Sequence, residues 1–304
     1  MNNKKNIVII SLIVLAIIII IMSVLFLIKN NIPSDDEKPN NTNTEKLDVN
    51  NSEVKKMLRK IDVLNLFVSI SEEHDSFSEA IRDFYGVNKK TSKDLNENTI
   101  FIIGLLNRYR FDDMFGTGDR ELVDNPYFKY NKNGYLINYS IPSFEIKNGV
   151  YSVFGDVKYK NKSVDFGCNI YGKFKYNIEN DIYDVDISAL SNNKCEHVRV
   201  TEFIFISLPY DAIRVGNQII INLVTAYGEL DWEKYIPNSA IYYYKIYKSV
   251  ERKTFVDLVQ NVNGYGTIDG DYLVDNKEAF NKFKVIFTKS NDGEYYFSSI
   301  EPIS

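Results

Sequence analysis

The stretch FKVIFTKSNDGEYYFSSIEPI, Phe283–Ile303, decides the fold class. Apolar and polar residues alternate on both sides of Asn291-Asp292-Gly293, so each arm presents one apolar face every second residue. An Asp-Gly pair between two alternating runs is the strongest short-range signal for a β-hairpin, because such turns need positive φ and glycine supplies it. Two antiparallel strands therefore close the chain. The question is how far upstream the period of two persists.

It persists for more than half of the chain. Thr254–Val259, Ile241–Tyr247, Gln218–Ala226 and Val198–Ser207 all read as strands. Phe174–Tyr176 and Tyr183–Ile187 form another pair, and Tyr127–Tyr130 and Tyr135–Tyr139 flank Asn133-Gly134, a second hairpin signal. Between these pairs, Ile141–Asp156 is ambiguous: IPSFEIKNGVYSVFGD is a hairpin turning at Asn148-Gly149, or a helix capped by Ser143 and ended by Gly155. The helix is preferred, although Gly149 costs it about 1 kcal/mol. Nearer the N-terminus the period becomes about 3.6. Asn51–Ile70 reads as a helix with Ser52 as N-cap and Val54, Met57, Leu58, Ile61 and Leu64 on one face. Phe77–Tyr85 is a short helix stopped by Gly86, and Asn98–Tyr109 is apolar enough for a buried one. The expected class is α+β, with N-terminal helices packed on one curved, mainly antiparallel sheet in a cystatin-like or NTF2-like layout.

At the other end of the chain, Ile7–Ile28 carries no charge, no proline and no glycine. A helix of that length covers about 33 Å at about 1.5 Å per residue, enough for a hydrocarbon core of about 30 Å. The run is longer than a signal-peptide core, and Leu27-Ile28-Lys29 offers no small-residue cleavage site. It reads as an uncleaved signal-anchor. Lys4 and Lys5 precede it and Lys29 and Lys38 follow, nearly a tie on the positive-inside rule. Because only six residues precede the span, residues 1–6 are expected in the cytoplasm and the C-terminal part outside. Residues 29–50, Asn-rich with two prolines, bury too little to order themselves and read as a tether. The remainder, 51–304, is one domain, or a helical 51–125 and a β-rich 126–304.

The lysine-bearing N-terminus, the isoleucine-rich span, the Asn-rich tether, SFEIKNGVYSVFGDVKYKN (Ser143–Asn161), IYYYKIYKSVERKTFVDLV (Ile241–Val259) and the closing hairpin form a pattern. It resembles uncharacterised single-span membrane-anchored proteins of low-GC Gram-positive bacteria. The resemblance implies a bacterial envelope location and an α+β fold; it implies no activity and assigns no site residues.

The chemistry is sparse. The formal net charge is −5 and no long Lys/Arg stripe appears, which argues against a nucleic-acid partner. Cys168 and Cys195 are the only cysteines. Outside the cytoplasm they either form a disulfide, contributing about 3.5 kcal/mol on a chain-entropy model, or remain two thiols. Cys195-Glu196-His197 is a weak nucleophile–base candidate, because sequence spacing alone is poor evidence of hydrogen-bonding reach and a base needs a third group to orient it. Asp269-Gly270-Asp271…Asp275 fails as a calcium loop: Val274 stands where glycine is needed and Phe280 where a bidentate glutamate is needed. It reads as a turn before a helix starting near Asp275. Asp181, Asp184 and Asp186 read as solvated carboxylates of a hairpin. No phosphate-binding loop, dinucleotide fingerprint, zinc-protease motif or nucleophile elbow occurs, so no cofactor or metal is expected. The 22 Tyr and 19 Phe are either a glycan- or peptide-binding surface or, with more weight, cross-strand packing in an A/T-rich coding background. The leading expectation is a non-enzymatic envelope module that binds a protein, peptide or wall component through its sheet or a groove between sheet and helices. The alternatives are an envelope hydrolase using acidic residues or Cys195 with His197, and a structural spacer.

Overall fold

The computed structural model describes residues 44–65, 67–68, 76–108, 128–130, 136–165, 173–186, 203–234, 242–249, 251–261 and 270–303. The apolar run 7–28, both cysteines, both histidines and the Asn133-Gly134 turn lie outside them. Among the described residues no helix is long and apolar enough to cross a membrane.

The chain is α+β and its sheets are antiparallel in every pairing described. The one curved sheet expected from the sequence is instead two. The first contains β1 (Thr44–Leu47), β2 (Phe67–Val68), β3 (Lys90–Thr91), β9 (Phe203–Val215), β10 (Gln218–Leu230), β11 (Tyr242–Tyr247), β12 (Phe255–Asn261), β13 (Asn281–Lys289) and β14 (Tyr295–Ile303). The second contains β4 (Phe128–Tyr130), β5 (Leu136–Pro142), β6 (Val164–Asp165), β7 (Lys173–Asn177) and β8 (Ile182–Asp186), in the order β4-β5-β8-β7-β6. The division follows sequence proximity. Strands within 128–186 find partners among themselves, whereas the long strands after residue 203 recruit each other and three short N-terminal strands.

Five helices accompany the described strands: α1 (Ser52–Arg59), α2 (Ser76–Phe84), α3 (Glu97–Arg108), α4 (Ser143–Phe154) and α5 (Gly270–Asp275). The ambiguous Ile141–Asp156 stretch is helix α4, ended at Gly155 with φ +70°. Its cap differs from the one expected. Ser143 lies inside the helix, and Pro142 at the cap position makes no side-chain bond. The β7–β8 turn supplies the partner instead: the Ser143 amide donates to the Asp181 carbonyl at 2.9 Å, and the Ser143 hydroxyl and the Tyr176 phenol hold the Asp181 carboxyl below its ordinary range. Helix α1 is shorter than the expected Asn51–Ile70. It stops at Arg59, gives way to a 3₁₀ turn at Asp62–Asn65, and is capped by Asn51, whose Oδ1 accepts from the Glu53 amide at 2.8 Å, not by Ser52. Likewise, α5 ends at Asp275 where a helix start was expected; the segment after it is a 3₁₀ turn, Lys277–Ala279.

The tether expected over 29–50 gives way to ordered chain at Thr44. Strand β1 pairs with Ala212–Val215 of β9, buries Leu47, and is braced by Arg214, which ion-pairs with both Glu45 and Glu53. Asn43–Ser304 forms one compact unit.

Alternation along β10 organises the interior. Ile219, Ile221 and Leu223 face the larger core with Phe205, Phe283, Val285 and Phe287; Val224, Ala226 and Leu230 face a smaller core with Ile246, Leu273 of α5 and Phe280. Helix α3 is buried from Asn98 to Leu106, because α4 packs on one side while the second sheet meets another through Phe101 and Tyr183, whose rings lie 5.6 Å apart.

Candidate binding groove

Strand β10 changes partners along one edge. Gln218–Thr225 pairs with β13 and Tyr227–Leu230 pairs with β11. Ala226 has neither neighbour on that side, while β9 runs unbroken along the other. The sheet therefore forks, and β11 and β13 diverge from a common point. A fork exposes what a continuous sheet would cover. Here the opening is floored by Thr225 and Phe205 and walled by α2 with the residues after it, by the β11–β12 turn, and by the start of β13. The deep end holds about 20 Å³, room for about one water. A larger open groove of about 970 Å³ shares Arg82, Tyr85, Lys248, Asn281 and Phe283 with it and reaches Val87, Pro302 and Ile303.

Tyr85 anchors the deep end. It follows α2, its amide still bonded to the Ile81 carbonyl at 2.9 Å, and its ring packs against Phe84, Phe205 and Phe283 with centroids 5.0, 4.9 and 5.2 Å away. The phenol donates to Ser207 Oγ at 3.0 Å. Burial pushes its pKa well up, so the group is a neutral hydrogen-bonding phenol and not a base at ordinary pH.

The rim is charged. Arg82, Lys90, Lys248, Lys253 and Lys282 line the groove, against Glu251 and Glu278. Lys90 pairs with Asp83, and Lys282 with Glu278 at 2.7 Å. That pair holds the Glu278 carboxyl down and the Lys282 ammonium up. Lys248 and Lys253 sit on the turn closed by the bond from the Lys248 amide to the Thr254 carbonyl, 3.1 Å. Among the described residues neither side chain is engaged by a carboxylate. The groove thus has an apolar, hydrogen-bonding floor and a predominantly basic rim. Such a surface can hold and orient a ligand.

Of the sequence-derived sites, Cys168, Cys195, His74 and His197 lie outside the described residues. Asp184 and Asp186 are exposed on one face of β8, and Asp184 accepts from Ser140 Oγ at 3.0 Å. Asp271 and Asp275 lie on α5 rather than in an ion-binding loop. No group of three or more metal-ligating side chains gathers among the described residues. The groove residues escaped sequence reading. The only local signal was the basic run from Lys248 to Lys253, which looks like any solvated hairpin turn until the fork places it over a cavity. No family model, no curated protein and no solved structure matches the chain.

Proposed function

We propose that the protein is a membrane-anchored, extracytoplasmic binding module of a bacterial cell envelope, non-enzymatic, which holds a partner in the groove at the sheet fork. The groove is the observation that carries this reading: an open concavity with a fixed aromatic floor and a charged rim is what a binding site requires, and a mere spacer needs none. The anchor and its orientation rest on the apolar run 7–28 and on the size of the part that follows it.

Two experiments test the proposal. Alkaline phosphatase, active only after export, is fused to Ser304 and assayed in intact cells; a stable but inactive fusion places the domain inside and removes the envelope reading. Full-length protein is then used as bait on solubilised membranes, beside a Val87→Asp variant. Val87 is 87% exposed at the groove lip, so the change leaves the fold alone. A specific partner captured by the parent and lost with the variant is expected; capture indifferent to Val87 moves the site away from the groove.

A further inference from the structure

We infer that the groove takes an extended acidic peptide segment of a partner protein, one that carries carboxylates next to apolar side chains; this rests on the binding-module reading above. Three observations converge on that ligand. First, the rim opposes the rest of the molecule in sign: five basic residues stand against Glu251, Glu278 and Asp83, with Lys90 paired to Asp83 and Lys282 to Glu278, so the rim keeps an excess of positive charge on a chain whose net charge is −5 and draws an anionic ligand chiefly through Lys248 and Lys253. Second, the lining is apolar between the charges. Tyr85, Phe280 and Phe283 form its inner surface, and Val87, Pro302 and Ile303 its lip. A phosphate-rich polymer would use the lysines and leave those groups in water; a peptide with alternating acidic and apolar residues uses both. Third, β12 leaves the groove wall at Thr254 with β11 on one side and, among the described residues, no strand on the other. The stretch of that edge beside the groove, Thr254–Phe255, can pair with an added extended chain, and Phe255 is 57% exposed there; farther along, the Leu258 amide is already held by Asp257 Oδ1 at 2.7 Å.

The test uses full-length protein in nonionic detergent and a fluorescein-labelled decapeptide alternating glutamate with valine, followed by anisotropy. The lysine–valine counterpart and inorganic polyphosphate serve as comparison probes. Saturable binding of the glutamate peptide is expected, weakening as salt rises from about 0.01 to 1 M and the screening length falls from about 30 to 3 Å. The double variant Lys248→Glu/Lys253→Glu, the first half-buried and the second exposed on the β11–β12 turn, is expected to unfold at the parent temperature and to bind the peptide at least about tenfold more weakly, with the loss mainly in association rate. No saturable binding of the glutamate peptide, or equal binding by the double variant, overturns the inference. Polyphosphate binding without peptide binding overturns it in favour of a phosphate-bearing ligand. The outcomes separate the two readings: Val87-dependent capture from membranes with no peptide binding removes the ligand class and leaves the binding module standing, whereas failure of both removes both.

Discussion

At the scale of single residues, two glycines let helices α3 and α4 approach closely. A Cβ on Gly104 would lie 2.3 Å from Val150 Cγ2 and 2.8 Å from the Val150 backbone; one on Gly149 would lie 2.1 Å from the Gly104 carbonyl oxygen. Helices α3 and α4 touch backbone to backbone there, which explains why α4 tolerates the helix cost of Gly149. Gly104→Ala gains up to about 1 kcal/mol of helix propensity but forces the helices apart, so a net loss of about 2 kcal/mol or more is expected in urea unfolding. A variant as stable as the parent would mean that the helices do not meet at these glycines. Lys60 makes a different kind of contact. It is buried, its Nζ donates to the Ser152 carbonyl at 2.6 Å and the Tyr295 carbonyl at 2.5 Å, and burial lowers its pKa. Ser152 lies in the last turn of α4, where carbonyls lack helical partners, so the ammonium both caps the helix and ties it to β14. Lys60→Met should cost about 1–3 kcal/mol by stranding one buried and one half-buried acceptor, whereas Lys56→Met, which breaks the exposed 2.8 Å pair with Glu294, should cost less than about 1 kcal/mol. Equal effects would show that the buried ammonium holds nothing together.

At the scale of elements, turn and cap chemistry was legible wherever it was local. The closing hairpin turns at Asn291-Asp292-Gly293 with Gly293 at φ +86°, as the alternation on either side requires. Strands β7 and β8 pair through Tyr176 and Tyr183, as read. Helix α1 shows the limit of such reading, since Asn51 and Ser52 are adjacent and both are good caps. The backbone decides: Asn51 has φ −56° and ψ 141°, outside the helix, and its side chain reaches Glu53 N. Asn51→Ala should therefore cost about 1 kcal/mol and Ser52→Ala a few tenths, checked by paired thermal unfolding curves; the reverse ranking would restore Ser52 as the cap. Strand β9 runs past Ser207, where the sequence reading ends it, through Pro209 to Val215. The register against β10 shifts at this point, with Asn222 opposite Asp211 and Leu223 opposite Pro209, so Tyr210 is the extra residue of a bulge. A bulge is one of the few places where a strand accommodates proline.

For the whole molecule, buried tyrosine joins the two cores to pH. Tyr183 in the larger core and Tyr244 in the smaller are almost completely inaccessible, and burial pushes both phenols above their ordinary pKa of 10.0. Below pH 10 both folded and unfolded chains keep these protons, and stability is indifferent to them. Above it the unfolded chain releases protons that the folded chain retains, so stability falls with pH by about 1.4 kcal/mol per unit for each tyrosine. Cooperative unfolding at alkaline pH, with phenolate absorbance rising together with loss of structure, is the expected result. Titration of all tyrosines near pH 10 in a chain that stays folded would contradict the burial.

The sequence by itself determined the α+β class, the buried helix α3 and the closing hairpin, because period, turn glycines and β-rich runs act between residues close along the chain; it left α4 between helix and hairpin. Tertiary structure alone decided the rest. Thr44–Leu47 looks like tether until β9 offers it an edge and Arg214 holds its acid. The second sheet exists because β5 pairs with β8 across α4. The groove exists because β10 meets β13 and β11 in turn, bringing Tyr85, Lys248, Lys253 and Phe283 together from separate parts of the chain. None of them carries a local signal for that meeting, since strand pairing at long range is settled by which apolar faces must be covered and not by the residues that line the gap left over.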